Sequence, residues 1–184
     1  MLDQKVIEAS LSDVSEIVGI CNSRLLAKQR DEERRDAGKK GFLIQELTDK
    51  VVQEMILDKE NFLVLAAKSG DEVLGYLIAC DMKKTDNLFQ KEVLELQRAQ
   101  SLGAKTFYYR QIAKKIGTKN VGEKLVLAMI NELKTRSYSS VICKIVHQPF
   151  CNLASINFHK KLGFEELISM SDNELTVGIY LKNL

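Results

Sequence analysis

The stretch Asn152-Leu153-Ala154-Ser155-Ile156-Asn157-Phe158-His159-Lys160-Lys161-Leu162-Gly163-Phe164 reads as a short helix, a stop and the start of a strand. Asn152, Ser155 or Ile156, and His159 recur at i, i+3/i+4 and i+7, so Asn152 and His159 share one helical face. Gly163 supplies the stop, because glycine enters the left-handed conformation that ends helices. Phe164 then opens an aromatic strand.

Upstream lies Ile112-Ala113-Lys114-Lys115-Ile116-Gly117-Thr118-Lys119-Asn120-Val121-Gly122-Glu123-Lys124-Leu125. Gly117 and Gly122 flank the start of a helix whose apolar positions are Val121, Leu125, Ala128, Met129 and Leu133. A pyrophosphate needs several donors close together and no side chains in the way. Glycine lets the backbone approach, and the open helix N-terminus adds N–H groups and partial positive charge. Lys114, Lys115, Lys119 and Lys124 surround the turn and would face such an anion. Asn120-x-x-Glu123 is equally an ordinary capping box. Asn tolerates left-handed backbone angles, so the loop shape is compatible with Asn120.

Working outward, Lys5 to Ala9 predicts a strand. Ser12 or Asp13 caps a helix running to about Leu26, with Val14, Ile17, Val18, Cys21 and Leu25 on one stripe. Lys28 to Gly41 is charged and reads as a solvated helix end and loop, or as a substrate-side flap. A second helix begins near Thr48. Asn61 to Lys68 and Glu72 to Met82 flank the turn Ser69-Gly70-Asp71 as a hairpin. Asp86 to Gln100 is helical by pattern. Thr106 to Ala113 and Ser140 to Val146 are strands. Phe164 to Met170 and Glu174 to Leu181 form a terminal hairpin. The order β-α-α-β-β-(α)-β-α-β-α-β-β predicts an α/β protein.

The chain has 184 residues and 45% hydrophobic content, enough for one domain over 1–184 with an inserted helical segment at about 83–105. Its net charge of +2 gives no global pull toward nucleic acid or a membrane surface. No apolar run approaches the ~20 residues of a membrane span, and the N-terminus lacks a signal-peptide pattern. Cys21, Cys80, Cys143 and Cys151 are widely spaced, as suits free thiols in a reducing cytoplasm. Cys143, His147, Cys151 and His159 fall close together, but their spacing is not that of a usual zinc knuckle, and no metal is assigned.

The two motifs together resemble those of the GNAT superfamily, the N-acyltransferases that use acetyl-CoA, and the element order resembles that fold nearly end to end. The resemblance implies a central twisted, mostly antiparallel sheet flanked by helices. Many members read Asn-x-x-Ala-x-x-Phe-Tyr-x-Lys-x-Gly-Phe at the second motif. Here Asn152, Phe158, Lys161, Gly163 and Phe164 match, Ala154 comes one place early, and His159 stands where tyrosine is usual. At the phosphate turn Gly117 replaces the usual Arg or Gln, and Asn120 replaces a glycine.

The resemblance further implies direct acetyl transfer from acetyl-CoA to a primary amine in a ternary complex. The turn Gly117, Thr118, Lys119, Asn120, Val121 and Gly122 would hold the nucleotide half of the cosubstrate, and Asn152 its arm. The Ile112 N–H would bond the thioester oxygen, and His159 would protonate the departing thiolate. A thiol near pKa ~8.5 needs only a modest donor, and imidazole near ~6.5 can serve. The general base is open among Tyr108, Tyr109, Gln111, Glu46, the acidic residues of Arg30–Asp36 and a water chain. So is the amine acceptor. A degenerate acyl-CoA-binding module, and an interaction protein pairing with a second copy through the 86–100 helix, are the competing classes.

Overall fold

Period-two strands and 3.6-period helices alternate along this chain, and each must bury its apolar face on a neighbour. The computed structural model describes residues 4–85, 105–172 and 175–184. The strands are β1 (Gln4–Glu8), β2 (Phe62–Ser69), β3 (Glu72–Asp81), β4 (Thr106–Lys114), β5 (Ser140–Gln148), β6 (Glu165–Asp172) and β7 (Leu175–Asn183). The helices are α1 (Val14–Arg24), α2 (Asp31–Lys40), α3 (Asp49–Leu57), α4 (Val121–Thr135) and α5 (Leu153–Lys161). The strands form a mixed sheet in the order β1-β2-β3-β4-β5-β7-β6.

The chain divides into two compact units, each built from separate stretches of sequence. The first holds Met1–Gln29, Leu43–Ala79 and Arg110–Glu132. There β1 runs antiparallel to β2, from Gln4↔Ser69 to Glu8↔Leu65. Val14, Ile17, Ile20 and Cys21 of α1, with Val52, Met55 and Ile56 of α3, pack on Val64, Ala66, Val73, Tyr76 and Ile78 of the hairpin. Thr48 starts α3 by accepting the Val51 N–H, as its residue type leads one to expect. Asp13 is buried beneath the sheet edge but paired with Lys68 at 2.6 Å. A carboxylate so placed requires such a partner.

The second unit holds Arg30–Phe42, Cys80–Tyr109 and Leu133–Leu184. β4 and β5 are parallel over four pairs, from Thr106↔Ser140 to Tyr109↔Cys143. β5 and β7 are antiparallel, as are β6 and β7. Ile142 and Ile179 form a small core with Met82, Tyr108, Leu167, Met170 and Leu181 around them.

One element differs from the sequence expectation. The charged stretch read as a solvated helix end and loop contains a full helix, α2, packed against α5. Ala37 is buried, and a Cβ on Gly38 would lie 2.3 Å from the Cys151 carbonyl oxygen. This close tertiary contact stabilises a helix that its own composition hardly announces. The helix expected over Asp86 to Gln100 lies outside the described residues. Among the described residues no helix is long and apolar enough to cross a membrane.

Candidate functional site

The glycine turn lies in the first unit. Gly117 has φ +85° and Asn120 φ +60°, so both occupy the left-handed region, and Asn120 does hold the conformation a glycine would. A Cβ on Gly117 would meet nothing within 4 Å, so its backbone is open to an approaching group. The Lys124 N–H donates to the Asn120 carbonyl at 3.1 Å and begins the helical ladder of α4. The N–H groups of Val121 and Gly122 precede that bond and point out of the helix end. Val121 is fully buried and Gly122 beside it is half-buried.

The lysines around the turn are not equivalent. Lys115 bridges Glu16 and Glu72, at 2.9 Å each. Burial alone would lower the pKa of its ammonium, but those two carboxylates hold it above the usual lysine range. Lys114 donates to the Thr118 carbonyl and thereby pins the turn. Lys124 reaches the Gln4 carbonyl at 3.4 Å. Lys119 is exposed beside the left-handed Asn120. Two expected phosphate-facing cations, Lys114 and Lys115, are therefore structural supports of the loop.

Ile112 sits on β4 just before the turn. The Lys115 N–H donates to the Leu74 carbonyl of β3 at 2.8 Å. Counting back by twos, the Ala113 and Gln111 backbone groups point to β3, and those of Ile112 point the other way. The ladder on that other side ends at Tyr109↔Cys143. Gln111 is committed by its side chain: its Nε2 donates to the Gln45 carbonyl at 2.9 Å, and its Oε1 accepts from Tyr76 at 3.2 Å. That leaves it poorly suited to act as a base.

The second motif lies in the other unit. Asn152 is the N-cap of α5, its Oδ1 accepting the Ser155 N–H at 3.2 Å. Its Nδ2 donates to the Phe42 carbonyl at 3.0 Å, which ties α5 to the end of α2. Both functional groups of this buried amide are thus engaged inside the protein. Asn152→Ala should cost about 2 kcal/mol, through loss of the cap and an orphaned Phe42 carbonyl. Denaturant unfolding checks this, and a change below about 0.5 kcal/mol would show the cap to be dispensable.

Gly163, at φ +78°, closes α5. The Gly163 N–H bonds the Lys160 carbonyl and the Phe164 N–H bonds the His159 carbonyl, both at 3.0 Å. This is the paired pattern in which the sixth residue folds back on the first, and the Phe164 and His159 rings touch as that pattern favours.

His159 is neither a surface residue nor a solvated donor. It is 3% exposed and enclosed by Tyr109, Phe158 and Phe164, at ring-centroid distances of 5.3, 5.1 and 5.2 Å. Burial lowers its pKa to about 4, against the pull of the Ser155 carbonyl, so the ring is neutral at physiological pH. Nδ1 lies 2.7 Å from the Ser155 carbonyl, which can only accept, so Nδ1 carries the proton. Nε2 then holds a lone pair and has no hydrogen-bond partner among the described residues. Proton donation to a thiolate from this ring would require a proton on Nε2. Sequence reading had Ser155 in view at i−4 but not that its carbonyl would fix the tautomer.

Among the described residues no group of three or more His, Cys, Asp or Glu side chains is placed to hold a metal ion. Cys143 is buried and its thiol pushed far up in pKa by that burial.

No family model matches the sequence, and no curated protein matches it. The fold has close counterparts among solved structures. The PaiA N-acetyltransferase of Thermoplasma acidophilum, solved with coenzyme A, aligns over 99% of both chains with TM-score 0.66 and 12% identity. The ribosomal-protein-alanine N-acetyltransferase of Brucella melitensis aligns over 98% of this chain and 99% of its own, with TM-score 0.67 and 17% identity. YncA of Salmonella typhimurium, solved with acetyl-CoA, aligns over 98% and 93%, with TM-score 0.66 and 17% identity. The fold is that of the GNAT N-acetyltransferases, as the two motifs led one to expect.

Proposed function

We propose that this protein is an N-acetyltransferase that moves an acetyl group from acetyl-CoA directly to a primary amine in a ternary complex. The observation that carries the reading is the run from β4 through the left-handed turn into α4. Within a few residues it supplies the outward Ile112 N–H, the open backbone at Gly117 and the N–H groups that precede the α4 ladder. Structural counterparts of the same fold bind coenzyme A or acetyl-CoA.

In this reading Thr118, Lys119, Asn120, Val121 and Gly122 hold the pyrophosphate through backbone N–H groups and the helix dipole, with Lys119 as the cation at the rim. The Ile112 N–H stabilises negative charge growing on the thioester oxygen. Asn152 and His159 act by fixing α5, and the sulfur takes its proton from solvent. The compartment this reading expects is the cytoplasm, where free thiols such as the four cysteines persist.

A second reading, an acyl-CoA-binding module without turnover, draws on the lone pair that His159 presents. Calorimetry and an amine panel separate the two. Both readings require heat of association with acetyl-CoA, and Lys119→Glu should weaken it by about tenfold while leaving unfolding unchanged. No association at millimolar cosubstrate would end both. Thiol release with a primary amine selects the enzyme.

A further inference from the structure

With the thioester carbonyl at the Ile112 N–H, the side chain next to Ile112 on β4 meets the incoming amine. Side chains two apart share a face of a strand and stand about 7 Å apart. Burial alternates along this part of β4: Arg110, Ile112 and Lys114 are half-buried, and Gln111 and Ala113 between them are buried. Arg110 and Lys114 therefore flank Ile112 on its own face. Lys114, toward the glycine turn, is spent on the Thr118 carbonyl. Arg110 lies on the side away from the turn.

The Arg110 guanidinium is braced from behind. Its Nε donates to Gln45 Oε1 at 3.2 Å. The Gln45 carbonyl in turn accepts from Gln111 Nε2 at 2.9 Å, so Gln45 is held to β4 at two successive residues. Among the described residues the terminal nitrogens Nη1 and Nη2 have no hydrogen-bond or ion-pair partner. The carboxylate next to Gln45 in the chain, that of Glu46, is taken by Lys28 at 2.5 Å. Lys28 is itself anchored to Asn22 Oδ1 at 2.8 Å. A guanidinium presents its N–H groups as a rigid planar fork that matches the two oxygens of a carboxylate. A solvated surface arginine must give up its rotamer freedom to bind. This one, half-buried and bonded through Nε, has given up part of it before a ligand arrives.

We propose that the acceptor is a small amino acid, a primary amine carrying a carboxylate, and that Arg110 determines this specificity by receiving the carboxylate. This rests on the acyltransferase reading. The two contacts lie one pair of strand residues apart, which limits the spacer between amine and carboxylate to a few bonds. The carboxylate makes and breaks no bond. The amine nitrogen bonds the thioester carbon, and the C–S bond breaks with its electron pair on sulfur. Nitrogen loses a proton to solvent as sulfur gains one. Gln45 is a positioning residue, because it acts only by aiming the guanidinium.

The test measures kcat/KM by thiol release from acetyl-CoA with L-alanine, β-alanine and 4-aminobutyrate, each against its carboxamide. A lysine peptide blocked at both ends serves as an acceptor without a neighbouring carboxylate. Calorimetry with acetyl-CoA on every protein reports whether the glycine turn is intact. The expected result in wild type is a preference for at least one acid over its carboxamide of roughly tenfold to hundredfold. Arg110→Gln should bring that ratio close to one, and Arg110→Lys should keep part of it. Gln45→Ala, which leaves the backbone bond to Gln111 in place, should raise KM for the acid more than it lowers kcat. Wild type that uses acids and carboxamides alike, or that prefers the lysine peptide to every acid, overturns the assignment and leaves acyl transfer standing. So does an acid preference that survives in Arg110→Gln. Should Arg110→Gln not fold, Gln45→Ala decides, and an unchanged KM for the acid overturns the assignment. Wild type that binds acetyl-CoA yet acetylates none of these acceptors overturns both this inference and the transferase reading. Wild type that binds no acetyl-CoA fails the earlier reading at its first step and takes this inference with it.

Discussion

Folding stability should fall by about 3 kcal/mol as pH drops from 6.5 to about 4 through His159 alone, and His159→Phe should remove that slope. The cause is burial: the imidazole is enclosed by three aromatic rings, and the charged form has lost its water. The Ser155 carbonyl pulls the other way and does not prevail. In the unfolded chain the ring takes up a proton near 6.5, and in the folded protein only near 4. Between those values the unfolded state binds more protons, so stability rises with pH. The contribution is fully present above the unfolded value, is lost as pH falls toward the folded one, and changes no further below it. Phenylalanine keeps the aromatic packing and removes the titration. Denaturant unfolding of both proteins across this window is the measurement. Parallel curves for wild type and His159→Phe would mean that the ring is solvated and its enclosure irrelevant to stability.

Gly75→Ala should destabilise by about 2 kcal/mol and weaken acetyl-CoA binding at the same time. Gly75 lies inside β3, where an added Cβ would come 2.6 Å from Val121 Cγ1, 2.8 Å from the Ala113 carbonyl oxygen and 3.1 Å from Lys114 Cβ. One of those neighbours is backbone and another is a fully buried side chain that opens α4, so neither has room to yield. The methyl group can be accommodated only by moving β4 or the start of α4, which are the two ends of the glycine turn. Unfolding and calorimetry on the one variant read both effects. A variant within about 0.5 kcal/mol of wild type that binds the cosubstrate normally would show that this contact relaxes without moving the turn.

Much of the fold was legible because local chemistry and tertiary demand agree. Thr48 caps α3, Gly163 closes α5, and the apolar residues of α1 and α3 face the sheet as their periods require. The glycine turn was legible in the same way. Its sequence departs from the family pattern at Asn120, yet the left-handed angle is one Asn can adopt, so the backbone keeps the shape. α2 was not legible, since ten charged and small residues acquire their helix from packing on α5 and the Cys151 backbone.

The candidate site divides along the same line. Spacing and residue type marked the Gly117–Gly122 turn and put Asn152 and His159 on one helical face, because backbone shape and helical phase follow from neighbours within a few positions; Ile112 and the roles given to Asn152 and His159 came from the resemblance to the GNAT motifs. What each side chain does depends on groups distant in sequence. Glu16 and Glu72 claim Lys115, the Phe42 carbonyl claims Asn152, and Tyr109 helps to enclose His159. The Arg110 guanidinium takes its aim from Gln45, 65 positions earlier in the chain. Protonation and tautomer respond to the surrounding dielectric and to hydrogen-bond partners, and only the folded chain brings those together.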